Sequence, residues 1–152
     1  MKAKDIMVRE VVTVNQSATI NEIAKILIEH KISGAPVVDD AGKLVGIVSE
    51  KDILHKETNP RLPNFISILG AIIYYNGVER FHEDFKKLMA RQAVEIMTEK
   101  VVAVSEDVEI EKVAGLMINH GVKRIPVVRG EKIVGIISRA DIIKTLLVLS
   151  DD

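Results

Sequence analysis

Apolar residues along the chain fall into two alternating rhythms. Val11–Val14 is a short apolar run and predicts a strand. Ile20, Ile23, Ala24, Leu27 and Ile28 then recur at helical spacing to about His30. Thr19 and Glu22 fit a capping box ahead of them, a hydroxyl and a carboxylate that satisfy free backbone donors. Ala35–Asp39 and Leu44–Val48 predict two strands around an Asp40-Ala41-Gly42 turn, and Ser49-Glu-Lys-Asp52 opens a second helix. The same succession returns later: Val101–Val104, Val108–His120, Ile125–Arg129, Lys132–Ile137, and Ser138 to about Leu149.

The recurrence is a duplication. Shifted by 90 positions, Asp5–Val38 and Glu95–Val128 are identical at 12 of 34 places; shifted by 89, Lys43–Leu54 and Lys132–Ile143 are identical at seven of 12. In the second stretch three of the five mismatches exchange Ile, Val and Leu. The strands Val45–Val48 and Val134–Ile137 carry hardly a polar residue, the mark of burial on both faces. One such unit is too small to bury both faces of its sheet. The expected fold is therefore α/β: two β-α-β-β-α units, packed sheet to sheet about a pseudo-twofold axis, with two related clefts at the junction. The divisions are 1–56, an insert at 57–91, and 92–152.

The insert has a different character. Leu62–Tyr75 is apolar with little interruption, and Val78, Phe81, Phe85, Leu88 and Met89 form one stripe of an amphipathic run ending at Gln92. Asn76-Gly77 reads as a stop between two helices. All five aromatic residues of the chain lie here, from Phe65 to Phe85. Aromatic residues are enriched at interfaces, so this Phe65–Phe85 segment is expected to mediate a homodimer.

Composition narrows the function classes. Of 152 residues 47% are apolar and 41 are Val or Ile, which fits an aliphatic, sheet-rich core and excludes disorder. Twenty-one basic against 22 acidic residues leave no excess to suit a nucleic-acid partner. The absence of cysteine rules out disulfides, thiolate zinc and a thiol nucleophile. The longest uncharged run, Leu62–Val78, is too short and too interrupted to span a membrane, and the first residues lack the apolar stretch of a signal peptide; a cytoplasmic protein is expected. The pairs Asp52/His55 and Glu79/His82 have metal-compatible spacing but lie in separate segments without further ligands. No phosphate-binding glycine loop or nucleophile elbow occurs, so an enzyme has no residues to support it.

Two motifs appear twice: 30–39 (HKISGAPVVD) with 120–129 (HGVKRIPVVR), and 46–53 (GIVSEKDI) with 135–142 (GIISRADI). With the leading Ile-Met of each unit, they resemble a tandem pair of CBS domains (cystathionine-β-synthase domains) in a stand-alone, Bateman-type arrangement. The resemblance covers roughly 1–56 and 91–148, and not the insert. It implies a non-catalytic sensor that requires no cofactor. Such a sensor binds an adenosine-containing ligand (AMP, ADP, ATP or S-adenosylmethionine) between the units. It also implies a homodimer and control of an unidentified partner protein on another chain.

The resemblance also names residues. Asp52 and Asp141 would accept from ribose hydroxyls, with Ser49 and Ser138 beside the ribose or phosphate. The plainer reading is that Ser-x-x-Asp caps a helix start; the two roles are compatible. Lys123 and Arg124 would reach phosphates, whereas their repeat mates Ser33 and Gly34 are neutral. One cleft would join Met7, Val12, Ile32 and Ser33 to Ser138 and Asp141. The other would join Met97, Val102, Val122 and Lys123 to Ser49 and Asp52. The apolar members are equally at home in a plain core. The competing reading is a ligand-independent dimerisation scaffold with vestigial clefts, suggested by neutral Ser33-Gly34 and the aromatic insert.

Overall fold

The structure is a computed structural model, and it describes residues 1–55, 64–68, 71–76 and 89–150. The first unit contains β1 (Val14–Asn15), α2 (Ile20–Glu29), β2 (Gly34–Val38), β3 (Leu44–Ser49) and α3 (Glu50–His55), after a short α1 (Ala3–Ile6). The second contains β6 (Val104–Ser105), α5 (Ile110–His120), β7 (Arg124–Arg129), β8 (Lys132–Ser138) and α6 (Arg139–Ser150), after a short α4 (Ala93–Ile96). Each unit forms a three-stranded sheet in the order β1-β2-β3 or β6-β7-β8, its first pair parallel and its second antiparallel. The predicted β-α-β-β-α order holds in both copies. The first strand of each is two residues long, because the chain at Val11–Val12 and Val101–Val102 is passing between units and not lying in a ladder.

That passage governs the packing. Ala3 and Met7 belong to the core of the second unit, with Val104, Val113, Ile125 and Ile137. Ala93 and Ile96 belong to the core of the first, with Val14, Ile23, Val37 and Val48. The leading segments are thus exchanged, and their bonds repeat one another. Ala3 N donates to Val108 O and Lys4 N to Glu106 O; Ala93 N donates to Ala18 O and Val94 N to Gln16 O. Ile110 N donates to Met1 O, and Ile20 N to Arg91 O. Each segment then adds one residue to the far sheet edge: Val8 pairs with Ile136 on β8, and Thr98 with Ile47 on β3.

Glycine makes the docking possible. A Cβ on Gly135 would sit 2.7 Å from Met7 Cγ, and one on Gly46 would sit 2.8 Å from Met97 Cγ. Both methionines are therefore committed to packing over the strand of the opposite unit. Charge adds to the first exchange: Lys4 Nζ lies 2.8 Å from Asp107, which holds that exposed carboxyl below its ordinary pKa. Capping differs between copies. Thr19 and Glu22 form the predicted box on α2, whereas Glu109, which replaces Thr19, makes no side-chain cap on α5 and meets the amino terminus instead.

The insert departs from the helical expectation. Asn64–Ile68 (β4) and Ala71–Asn76 (β5) pair as an antiparallel hairpin. An uninterrupted apolar run fits a buried helix and a strand equally, and here Ile66, Ile68, Ile72 and Ile73 supply the β-branched bias that favours the strand. The amphipathic helix expected over Val78–Gln92 lies, save its last residues, outside the described residues.

The exchange is testable. Met7→Ala should cost about 2–5 kcal/mol, and hydrogen exchange should show the lost protection in β7 and β8 of the second unit. Loss confined to β2 and β3 would contradict the exchanged packing.

Candidate ligand-binding cleft

Where the exchanged segment 98–102 leaves β3 for the second unit, it roofs a cavity of about 390 Å³. That lies within the range of small-molecule sites. Its walls are aliphatic: Ile47 from β3, Val101 and Val102 from the crossing chain, and Val122 from the turn after α5. Polar groups converge on it: Ser33, then Ser49, Glu50 and Asp52 at the start of α3, Thr98, and four basic residues, Lys51, Lys100, Lys123 and Arg124.

Asp52 is 7% exposed. Its Oδ2 accepts from the Ser49 amide at 2.8 Å and from the Ser49 hydroxyl at 3.2 Å. Asp141 does the same with Ser138, at 2.8 and 2.7 Å. The capping reading of Ser-x-x-Asp is therefore realised at both helix starts. It holds each carboxylate in one orientation, which is also what a hydroxyl-binding role requires.

Arg124 is the least symmetrical feature. It begins β7, paired with Ser138, and its guanidinium crosses to donate to the Ser33 hydroxyl of the other unit. There it lies over Gly34, where a Cβ would overlap the guanidinium. Gly34 is needed for room, not for an unusual backbone angle. Burial lowers the pKa of Arg124 from its ordinary value, and the nearby Glu50 carboxylate opposes that shift. The direct hydrogen-bond acceptor of Arg124 is thus a neutral hydroxyl, with the Glu50 carboxylate as the nearby opposite charge.

The structure thus gathers Ser33, Ser49, Asp52, Val102, Val122, Lys123 and Arg124 around one cavity. Ser33 was expected with Asp141 and lines the Asp52 cavity instead. Met97 was expected in this cleft and is packed over Gly46; Met7 was expected in the other and is buried over Gly135. At the mate position Val12 and Ile32 are half-buried and Ser138 and Asp141 keep their cap. Lys51, Thr98 and Lys100 were missed by sequence reasoning. Lys100 stands two residues before Val102, and that adjacency was the available signal. Among the described residues no group of three or more His, Asp or Glu side chains is placed to hold a metal ion.

Asp52→Ala should cost roughly 0.5–2 kcal/mol of stability by removing the cap. Asp52→Asn, which keeps an acceptor oxygen, should melt close to the wild type. Equal losses in a thermal melt would show that the carboxylate charge, and not its capping geometry, holds this helix start.

Comparison with known proteins agrees with this architecture. The chain is 34% identical to uncharacterized protein MJ1426 of Methanocaldococcus jannaschii over 155 residues, covering 97% of this chain and 92% of that protein. It is 31% identical over 144 residues to inosine-5'-monophosphate dehydrogenase of the same organism, but spans only 23% of that enzyme. The CBS domain pair of protein MJ0100, solved in complex with 5'-methylthioadenosine and S-adenosyl-L-methionine, is 27% identical. It superposes with a TM-score of 0.70 over 98% of both chains. The CBS domain profile matches residues 3–58 and 93–148, the two repeats that build the cleft, and the chain belongs to the CBS domain family.

Proposed function

We propose that the protein is a non-catalytic regulatory module that binds an adenosine-containing ligand in the Asp52 cleft and passes its occupancy to a partner protein. The observation that carries the reading is the cavity itself, with aliphatic walls for a base, an oriented carboxylate for a ribose, and basic residues for a phosphate. A ribose presents two hydroxyl donors to Asp52, and Ser49 adds a hydroxyl beside it. Arg124 offers a planar set of donors to phosphate oxygens, and Lys100 and Lys123 offer point charges. The bound adenosine compounds of the MJ0100 domain pair support the same chemistry here.

The ligand class is tested by a thermal-shift panel of adenosine, AMP, ADP, ATP and S-adenosylmethionine. A binder at about one hundred times its dissociation constant adds roughly 2.7 kcal/mol. For a domain of this size, that raises Tm by roughly 5–10 °C. Lys123→Ala should reduce the shift with AMP more than with adenosine. No shift with any of the five compounds would refute the reading and favour the scaffold.

The same module is proposed to act as a homodimer. Two observations support it. One is the clustering of all five aromatic residues in the insert sequence. The other is the pair of repeat-related positions Ile28 and Ile118, which are 76% and 78% exposed. Isolated copies would leave this apolar surface in water. Sedimentation velocity should give a dimer for the wild type. Tyr74→Ser with Tyr75→Ser, or Ile28→Asp with Ile118→Asp, should yield monomers according to which surface pairs; an unchanged dimer in both would exclude both.

A further inference from the structure

The two clefts of a duplicated chain would be equivalent if the repeat were perfect. It breaks where charge enters. Lys100 lines the Asp52 cavity, and its repeat mate is Glu10; the mate of Lys51 is Ala140, and the mate of Arg124 is Gly34. The last exchange is enforced by packing. A Cβ at position 34 would lie 2.9 Å from the Val48 carbonyl of its own sheet and would also meet the Arg124 guanidinium, which crosses between the units. The chain therefore delivers a guanidinium to one cleft from position 124 and leaves position 34 without a side chain.

Two exchanges run the other way, since Arg139 replaces Glu50 and Lys31 replaces Gly121. Both are exposed, and Arg139 Nε donates to the Val122 carbonyl. Lys123 is exposed and lines the Asp52 cavity, and its repeat mate is the neutral Ser33. What separates the clefts is the charge that follows the crossing chain: an ammonium at position 100, and a carboxylate at position 10.

We propose that a phosphate-bearing adenosine ligand occupies only the cleft of Ser49 and Asp52, and that the cleft of Ser138 and Asp141 accepts an adenosine compound without phosphate. The inference rests on the reading of the clefts as adenosine sites. A phosphate monoester carries about −1.5 to −2 charges at neutral pH. In the first cleft it meets Lys51, Lys100, Lys123 and Arg124, set against the carboxylates of Glu50 and Asp52. In the second, the repeat mates of Lys100 and Lys51 are Glu10 and Ala140, and the mate of Arg124 is Gly34, which is buried under the Arg124 guanidinium. Arg124, Lys100 and Lys51 are thus specificity determinants, and the repeat mates Ser49/Asp52 and Ser138/Asp141 are shared chemistry.

Isothermal titration of the full chain with AMP should give one site per chain. Asp52→Asn should abolish that site, and Asp141→Asn should leave it. Lys100→Glu, a change on the surface, should weaken AMP roughly tenfold or more. Adenosine added to AMP-saturated protein should bind one further equivalent. Glu10→Lys combined with Ala140→Lys should create a second AMP site. Two AMP sites of similar affinity in the wild type would overturn the proposal while leaving the clefts as adenosine sites. So would loss confined to Asp141→Asn, absence of the further adenosine equivalent, or a stoichiometry still at one in the double variant. No binding of AMP or adenosine at all would remove the underlying reading and the proposal with it.

Discussion

Two residues, Val8 and Thr98, hold the arrangement together. Val8 N donates to Ile136 O at 2.9 Å and Ile136 N returns to Val8 O at 3.0 Å; Thr98 and Ile47 exchange the same pair at 2.8 and 3.0 Å. A three-stranded sheet with two helices buries too little to stand alone. Here each unit borrows a short helix and a methionine from the start of the other repeat. The price is that the chain must cross twice between units, at 9–13 and 99–103. Those crossings roof the space between the sheets, so the cleft is a consequence of how the duplicated units complete one another's cores.

The glycines follow from the same constraint. Gly46 and Gly135 face the borrowed methionines, and a methyl group at either would press into the thioether. Gly34 answers to two neighbours, since a methyl group there would press on the Val48 carbonyl of its own sheet and on the guanidinium that crosses from the other unit. Identical positions in a repeat thus answer to different neighbours. A duplicated fold can keep two equivalent cores while its clefts diverge, since the cores are held by Ile, Val and Met exchanges and the clefts by single charged residues at their edges.

Much of this was legible in the sequence because hydrophobic periodicity reports burial, and burial determined the elements. The helices at Ile20–Glu29 and Ile110–His120 and the paired strands around Gly42 and Gly130 lie within a residue or two of expectation. Asp52 and Ser49 were legible because a local capping motif places them, and the same two residues line the cavity. Met7 and Met97 were misplaced, since a buried apolar residue in a core and one in a cleft look alike along the chain. Lys51 and Lys100 were missed because a lysine on a helix start or a loop has no pattern; only the crossing brings the two together. The paired strands at 64–68 and 71–76 differ from the helix expected there, because an uninterrupted apolar run carries no period and its β-branched residues favour a strand.

The absence of rings from the two units bears on selectivity. A base seated between Ile47, Val101, Val102 and Val122 meets aliphatic surface on every described wall. Stacking, which tolerates any base, contributes nothing from these walls. Discrimination then falls to hydrogen bonds along the edge of the base, and Thr98 is the uncharged polar side chain that the crossing chain brings to this cavity. The peptide groups of Thr98 are committed to Ile47, so the position of the residue is set by the ladder of β3. A side chain standing on a peptide fixed in a sheet is preorganised. The interaction that completes the first unit's sheet therefore also positions a polar side chain at the cavity wall. A change that loosens Thr98 from Ile47 would be felt as lost stability and lost selectivity together.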